Sequence, residues 1–111
     1  PLNLSNKKVS VWLYIPMEAM GAPSKPNGIQ IFFKDTEFKS KYSTWKNIGS
    51  TVPTNQWTQI TVEMTSENWA WDDGCDLTRV GEMGLKIGAG GGSTENWSGT
   101  FLMDNFAWDF T

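Results

Sequence analysis

An all-β fold, an antiparallel β-sandwich or jelly roll, is predicted by three features of the sequence. Short segments alternate apolar and polar residues, helical periodicity is hard to find, and connections rich in Gly, Pro, Ser and Asn separate the segments. Strands at this spacing, with long loops and no helix, suit two packed antiparallel sheets. The 111 residues hold one domain, with no internal repeat and no linker that divides the chain.

The first strand runs from Lys8 to Ile15. Val9, Val11, Leu13 and Ile15 share one face, and Lys8, Ser10, Trp12 and Tyr14 the other. Pro16 ends it, having no N–H to give a ladder. After a connector from Met17 to Gly28, the segment Ile29 to Asp35 sends Ile29, Ile31 and Phe33 inward and Gln30, Phe32 and Lys34 outward. Residues 36–56 read as polar and irregular, with room for a short strand around Tyr42 to Trp45. Trp57 to Met64 alternates again with Ile60, Val62 and Met64 buried. Ser66 to Leu77 is a long loop, and Val80 to Gly88 is a strand carrying Met83, Leu85 and Ile87. A glycine-rich connection, Gly88 to Gly92, leads past Trp97 to a last strand between Gly99 and Phe110. That connection lacks the Lys-Ser/Thr ending of a phosphate-binding loop and precedes no helix.

Composition narrows the function. Twelve acidic residues against nine basic give a net charge of -3, with no basic stripe, which excludes the electrostatic footprint of nucleic-acid binding. No apolar run approaches a membrane span, and nothing reads as a signal peptide; the start at Pro1 rather than Met is expected of a mature or excised piece. The absence of His removes Ser-His and Cys-His nucleophile pairs and the commonest zinc ligand. The single Cys75 forms no internal disulfide and reads as a small buried residue. The anomaly is aromatic: seven Trp stand beside six Phe and two Tyr, more indole than a core this small needs. Some of these rings are expected on the surface.

Several segments in order carry a resemblance. Asn3-Leu4-Ser5, Val52-Pro53, Gln56-Trp57-Thr58 with Ile60-Thr61-Val62, Asp76-Leu77-Thr78-Arg79-Val80, Met83 to Gly88 and Gly99 to Phe106 form a series. It resembles the second two-thirds of jelly-roll carbohydrate-binding modules appended to bacterial cellulases, mannanases and xylanases. The resemblance implies a secreted, non-catalytic domain that binds plant cell-wall β-linked polysaccharide, a β-1,4-glucan, glucomannan or related hemicellulose, and targets an attached glycoside hydrolase to it. The family's first strands, which carry an acidic residue and a glycine, have no counterpart ahead of Leu2. The expectation is therefore either a minimal version of the fold or an edge filled by another chain, as a homodimer or by strand exchange. The resemblance also implies a structural calcium at Asp104, held together with groups from that N-terminal segment. It assigns Trp57 to packing.

The candidate binding residues follow from what a β-linked glycan shows water, alternating apolar CH faces and polar edges. Flat rings meet the first; amides, carboxylates and Lys meet the second. Trp12, Tyr14, Gln30, Phe32, Lys34 and Lys86 are expected to form one outward platform, the alternative being that Trp12 and Phe32 lie under a loop as a second small core. Trp69 and Trp71, one residue apart, point the same way if extended and either flank a sugar chain, with Asp72 and Asp73 beside them, or fold back as a lid. Trp45 and Trp97 sit in polar contexts that suit exposure, while Trp108 reads as core. Asp72, Asp73, Asp76 and Asp104 are the oxygen-rich candidates for calcium, without EF-hand spacing.

Two other classes compete. A jelly-roll glycoside hydrolase needs two carboxylates roughly 5–9.5 Å apart, and no strand shows an acid-x-acid alternation. Glu63 and Glu82 stand alone on their strands, and Asp104 and Asp109 differ by an odd spacing. A protein-interaction sandwich would concentrate Tyr and Arg, yet Arg79 is the one arginine here.

Overall fold

The computed structural model describes residues 1–91 and 99–108 and is an all-β, sandwich-like fold. Its strands are β1 (Lys8–Tyr14), β2 (Gly21–Ala22), β3 (Lys25–Pro26), β4 (Gly28–Asp35), β5 (Ser40–Tyr42), β6 (Lys46–Asn47), β7 (Trp57–Glu63), β8 (Trp71–Asp72), β9 (Val80–Gly88) and β10 (Leu102–Trp108). Single 3₁₀ turns at Met17–Met20 and Leu77–Arg79 are the helical content among the described residues. Neither is long and apolar enough to cross a membrane.

Two antiparallel sheets enclose the core. In the smaller, β1 lies between β7 and β10. In the larger, β4 is paired along its whole length with β9 on one side and, on the other, with β6 at its start and β5 at its end; β8 continues outward from β5. Alternation decides which side chains meet. Val9, Val11 and Leu13 from β1, Ile60 and Val62 from β7 and Ile29, Ile31 and Phe33 from β4 form one buried cluster with Leu4, Ile15, Ile48, Val52 and Met64. The inward faces of the first strand, of β4 and of β7 are those the alternation predicts. On β9 the core-side residues open progressively: Val80 is buried, Met83 and Leu85 are half-buried and Ile87 is 46% exposed.

The segment expected to be irregular contains more order than its polarity suggests. β5 ends at Tyr42 and β6 begins at Lys46, and Ser43 between them is fully buried. Its hydroxyl accepts from the Ile31 N–H at 2.8 Å, its N–H donates to the Ile31 carbonyl at 2.9 Å, and its carbonyl accepts from the Gln30 amide at 3.0 Å. A short polar side chain thus stands in for ladder pairing between two short strands. The last strand is shorter than expected where it is described, starting at Leu102.

Asp35, only 3% exposed, ties the end of β4 to two loops. Its carboxylate accepts from the Asp76 N–H at 2.9 Å, from Glu37 N–H at 2.8 Å and from Lys39 N–H at 3.1 Å. These donors, Asp76 foremost, hold its pKa below the ordinary carboxylate value. The same hydrogen bonds close the β4–β5 turn, where Phe38 takes a φ of 66°. Cys75 lies beneath it, its thiol 3.8 Å from the Phe33 carbonyl, and burial pushes the thiol pKa up to about 11.

Two outcomes follow. A carboxyl whose folded pKa is depressed stabilises above its unfolded value of about 3.9 and loses that contribution as pH falls through the folded pKa. Urea unfolding of Asp35→Asn at pH 7 will therefore show a lower midpoint than wild type. Between pH 5 and 2 the variant's midpoint will vary less, because the buried carboxylate at this position no longer titrates. Cys75 will resist a disulfide reagent at pH 8 in the folded protein and react at once in denaturant.

Candidate functional site

The outer face of the larger sheet carries a row of rings. Register places Gly84 of β9, Phe32 of β4, Tyr42 of β5 and Trp71 of β8 side by side across four strands. Tyr42 and Trp71 are tilted by 34° with centroids 6.5 Å apart, and Trp71 is 51% exposed. Phe32 lies on Gly84, where a β-carbon would come within 2.7 Å of its ring. Lys86 and Gln30 form the next row, and the Lys86 ammonium stands 4.3 Å from the Tyr42 ring centre. Lys34 reaches to 5.9 Å from the Phe32 centroid and to 3.7 Å from Glu82. Phe32, Lys34, Tyr42 and Lys86 border a shallow cavity of ≈ 290 Å³ on this face.

Trp45 closes one end of this face. Gly28 and Gly88 are direct register partners on the outward side, and a β-carbon on either would overlap the Trp45 indole. The ring rests on two bare stretches of backbone, a close approach that only glycine permits. Its Nε1 donates to the Asn47 side chain at 2.8 Å, which leaves a ring 37% exposed at the rim.

The structure separates the residues that alternation had grouped. Gln30, Phe32, Lys34 and Lys86 share this face, as expected, and Trp45 and Trp71 join them. Trp12 and Tyr14 do not: they lie on the outer face of the β10–β1–β7 sheet, on the opposite side of the core. The single platform is therefore corrected to two faces. The reason is pairing: β1 takes β7 and β10 as neighbours, not β4. Gln30 is outward yet only 7% exposed, its amide engaged by Ser43.

Trp69 and Trp71 also part company. Trp71 faces outward beside Tyr42, whereas Trp69 packs edge-on against core Phe33 with centroids 5.8 Å apart and an interplanar angle of 90°. Lys41 covers Trp69 at 5.1 Å and donates to Asp72 at 2.8 Å. That hydrogen bond, with a second from Gly74 N–H, holds the Asp72 pKa low. Asp73 accepts from Ser40 N–H at 2.6 Å, and Asp76 accepts from Thr78 through both hydroxyl and amide. Asp72, Asp73 and Asp76 thus each fasten a loop to its neighbour. Trp57, expected in the core, is 47% exposed on the smaller sheet. Trp108 packs against the core from a half-buried position. Trp97 lies outside the described residues.

Asp104 faces outward on β10, opposite Trp12, and accepts from Asn105 N–H at 2.8 Å. No group of three or more Asp, Glu or Cys side chains able to hold a metal ion occurs among the described residues. Comparison with family models, with characterised proteins and with solved structures gave no match.

Sequence reasoning missed Tyr42, the middle ring of the row, and the floor of Gly28, Gly84 and Gly88. Glycines inside strands at outward positions were the available signal, since each removes a side chain where a ring comes down on the backbone. Gly88→Ala will displace Trp45. Moving the indole gives up its Asn47 hydrogen bond and its contact with Gly28, so the stability cost will be about 1–3 kcal/mol, the range for an added methyl at a packed position. Acrylamide quenching of Trp fluorescence will rise against wild type.

Proposed function

We propose that this protein is a non-catalytic glycan-binding domain, taking plant cell-wall β-linked polysaccharide, a β-1,4-glucan, glucomannan or related hemicellulose, on the outer face of the larger sheet. The observation that carries the reading is the row Phe32, Tyr42 and Trp71, with Trp45 at the rim and two lysines over the rings. Sugar CH faces stack on exposed flat rings such as Trp71 and Trp45, and the neighbouring lysine ammonium groups donate to hydroxyls at the sugar's edge. A shallow, ring-lined depression suits the inside of a single chain better than a crystalline sheet of chains. In this reading the domain is extracellular and brings an attached glycoside hydrolase to its substrate.

The arrangement of acids supports binding over hydrolysis. By register, Glu82 is the carboxylate that β4, β5, β8 and β9 bring to this face, and it is paired to Lys34. Glycoside cleavage requires a second acid across the scissile bond.

Affinity electrophoresis in gels containing β-glucan, glucomannan, xylan or xyloglucan tests the reading. At least one polysaccharide will retard the protein, and Tyr42→Ala or Trp71→Ala will weaken that retardation about tenfold or more, as loss of an aromatic anchor does. Thermal unfolding will change little for Trp71→Ala, whose ring is half in water. If no polysaccharide retards the wild type, the reading fails. Release of reducing ends from soluble glucan would convert it to an enzyme.

A further inference from the structure

The smaller sheet has its own cluster of rings on its outer face. Trp12 stands between Gln59 and Asp104, and Tyr14 between Trp57 and Leu102. Tyr14 and Trp57 meet edge to face, centroids 5.9 Å apart at 65°. Trp12 is 44% exposed and Leu102 equally so, close to the value for Trp57. Toward the other end, β1 and β7 bring polar pairs to the same face: Ser10 and Thr61 hydroxyls 3.1 Å apart, then Lys8 and Glu63 at 3.3 Å, with the small Ala107 of β10 beside Ser10. Pairs of that kind are what a solvated sheet face needs. Four apolar side chains gathered at one end go beyond it and mark a contact surface.

The size of the patch selects its occupant. Three rings of about 150–250 Å² each, half exposed at most, with one Leu, offer roughly 300 Å². A stable protein partner, or a second copy of this chain, needs about 800 Å² per side. Such a partner would have to cover the Ser10–Thr61 and Lys8–Glu63 pairs, which already satisfy each other. One or two sugar rings match the area. Their polar edges would meet the Gln59 amide and the Asp104 carboxylate, which flank Trp12 and retain acceptor capacity.

We infer that Trp12, Tyr14 and Trp57, with Gln59 and Asp104, form a second glycan-binding surface, so that one domain holds two polysaccharide segments at once. This rests on the glycan reading of the first face. The two surfaces point away from each other across packed sheets about 10 Å apart, so a straight chain cannot lie on both. The domain then acts as a bivalent link, and its avidity for long polymers exceeds its affinity for short oligomers.

Titration calorimetry with cellohexaose and mannohexaose, on wild type, on Trp12→Ala/Trp57→Ala and on Tyr42→Ala/Trp71→Ala, tests this. Expected are two oligosaccharides per wild-type chain and one for each double variant. The Trp12→Ala/Trp57→Ala protein keeps the first-face affinity within about twofold, and its retardation by long polymer falls to that of a single site without disappearing. Far-ultraviolet dichroism and melting curves check that both variants fold. One site per chain, abolished by Tyr42→Ala/Trp71→Ala and indifferent to Trp12→Ala/Trp57→Ala, would overturn the second surface and keep the first. Absence of any glycan binding would overturn both. A concentration-dependent dimer in light scattering, lost in Trp12→Ala/Trp57→Ala, would assign the patch to self-association instead.

Discussion

Strand β4 is paired on both edges, and its register against β9 sets what every layer of the larger sheet presents. With Ile29 opposite Ile87, Ile31 opposite Leu85 and Phe33 opposite Met83, three apolar pairs face the core. The intervening pairs, Gln30 with Lys86, Phe32 with Gly84 and Lys34 with Glu82, face out. A slip of one residue would reverse both faces of the strand at once. Several features hold the register. At the far end a bulge lets Asp35 meet Val80, and the Asp35 carboxylate collects three backbone N–H groups from both flanking loops. At the near end, Gly28 faces Gly88 with the Trp45 ring across both. The core and the ring face are thus two consequences of a single alignment.

That alignment explains why the outer face can carry rings at all. Exposed aromatic side chains on a pleated sheet ordinarily project away from it and gain little from the backbone. Here Gly84 and Gly88 remove the neighbouring β-carbons, so Phe32 and Trp45 lie down on the strand instead of standing up from it. Tyr42 is held from above by the Lys86 ammonium and at its side by Trp71. The rings are consequently ordered before any ligand arrives, and preordered groups lose less conformational freedom on binding.

Much of the fold was legible because a period of two reports which face a residue takes. Val9, Val11, Leu13, Ile29, Ile31, Phe33, Ile60 and Val62 alternate cleanly, and all are buried. Periodicity does not say which strands are neighbours. Trp12 and Phe32 are both outward on apolar-alternating strands, and nothing local distinguishes a shared sheet from opposite sheets. Only the distant partners Gln59 and Asp104 for Trp12, and Tyr42 and Gly84 for Phe32, decide it. The loop tryptophans were illegible for a different reason. Trp69 precedes β8 and is not extended with it, so spacing gave no direction. Its burial against Phe33 depends on Lys41 and Asp72 closing over it.

The two outer faces differ in construction, and the difference bears on what each can do. On the larger sheet the glycine floor and the overlying lysines create a depression, whereas β1, β7 and β10 present no glycine beneath Trp12, Tyr14 and Trp57. Rings there stand on a full set of β-carbons, and their mutual edge contact, not the backbone, fixes them. A depression discriminates among ligands by excluding shapes that do not fit it, but a raised patch has no walls with which to exclude. If both faces take glycan, selectivity for sugar identity belongs to the larger sheet. The smaller sheet contributes attachment that is tolerant of sequence along the polymer. A surface holding a second segment of a heterogeneous polysaccharide needs that tolerance, because the segment within its reach is not chosen by the first site.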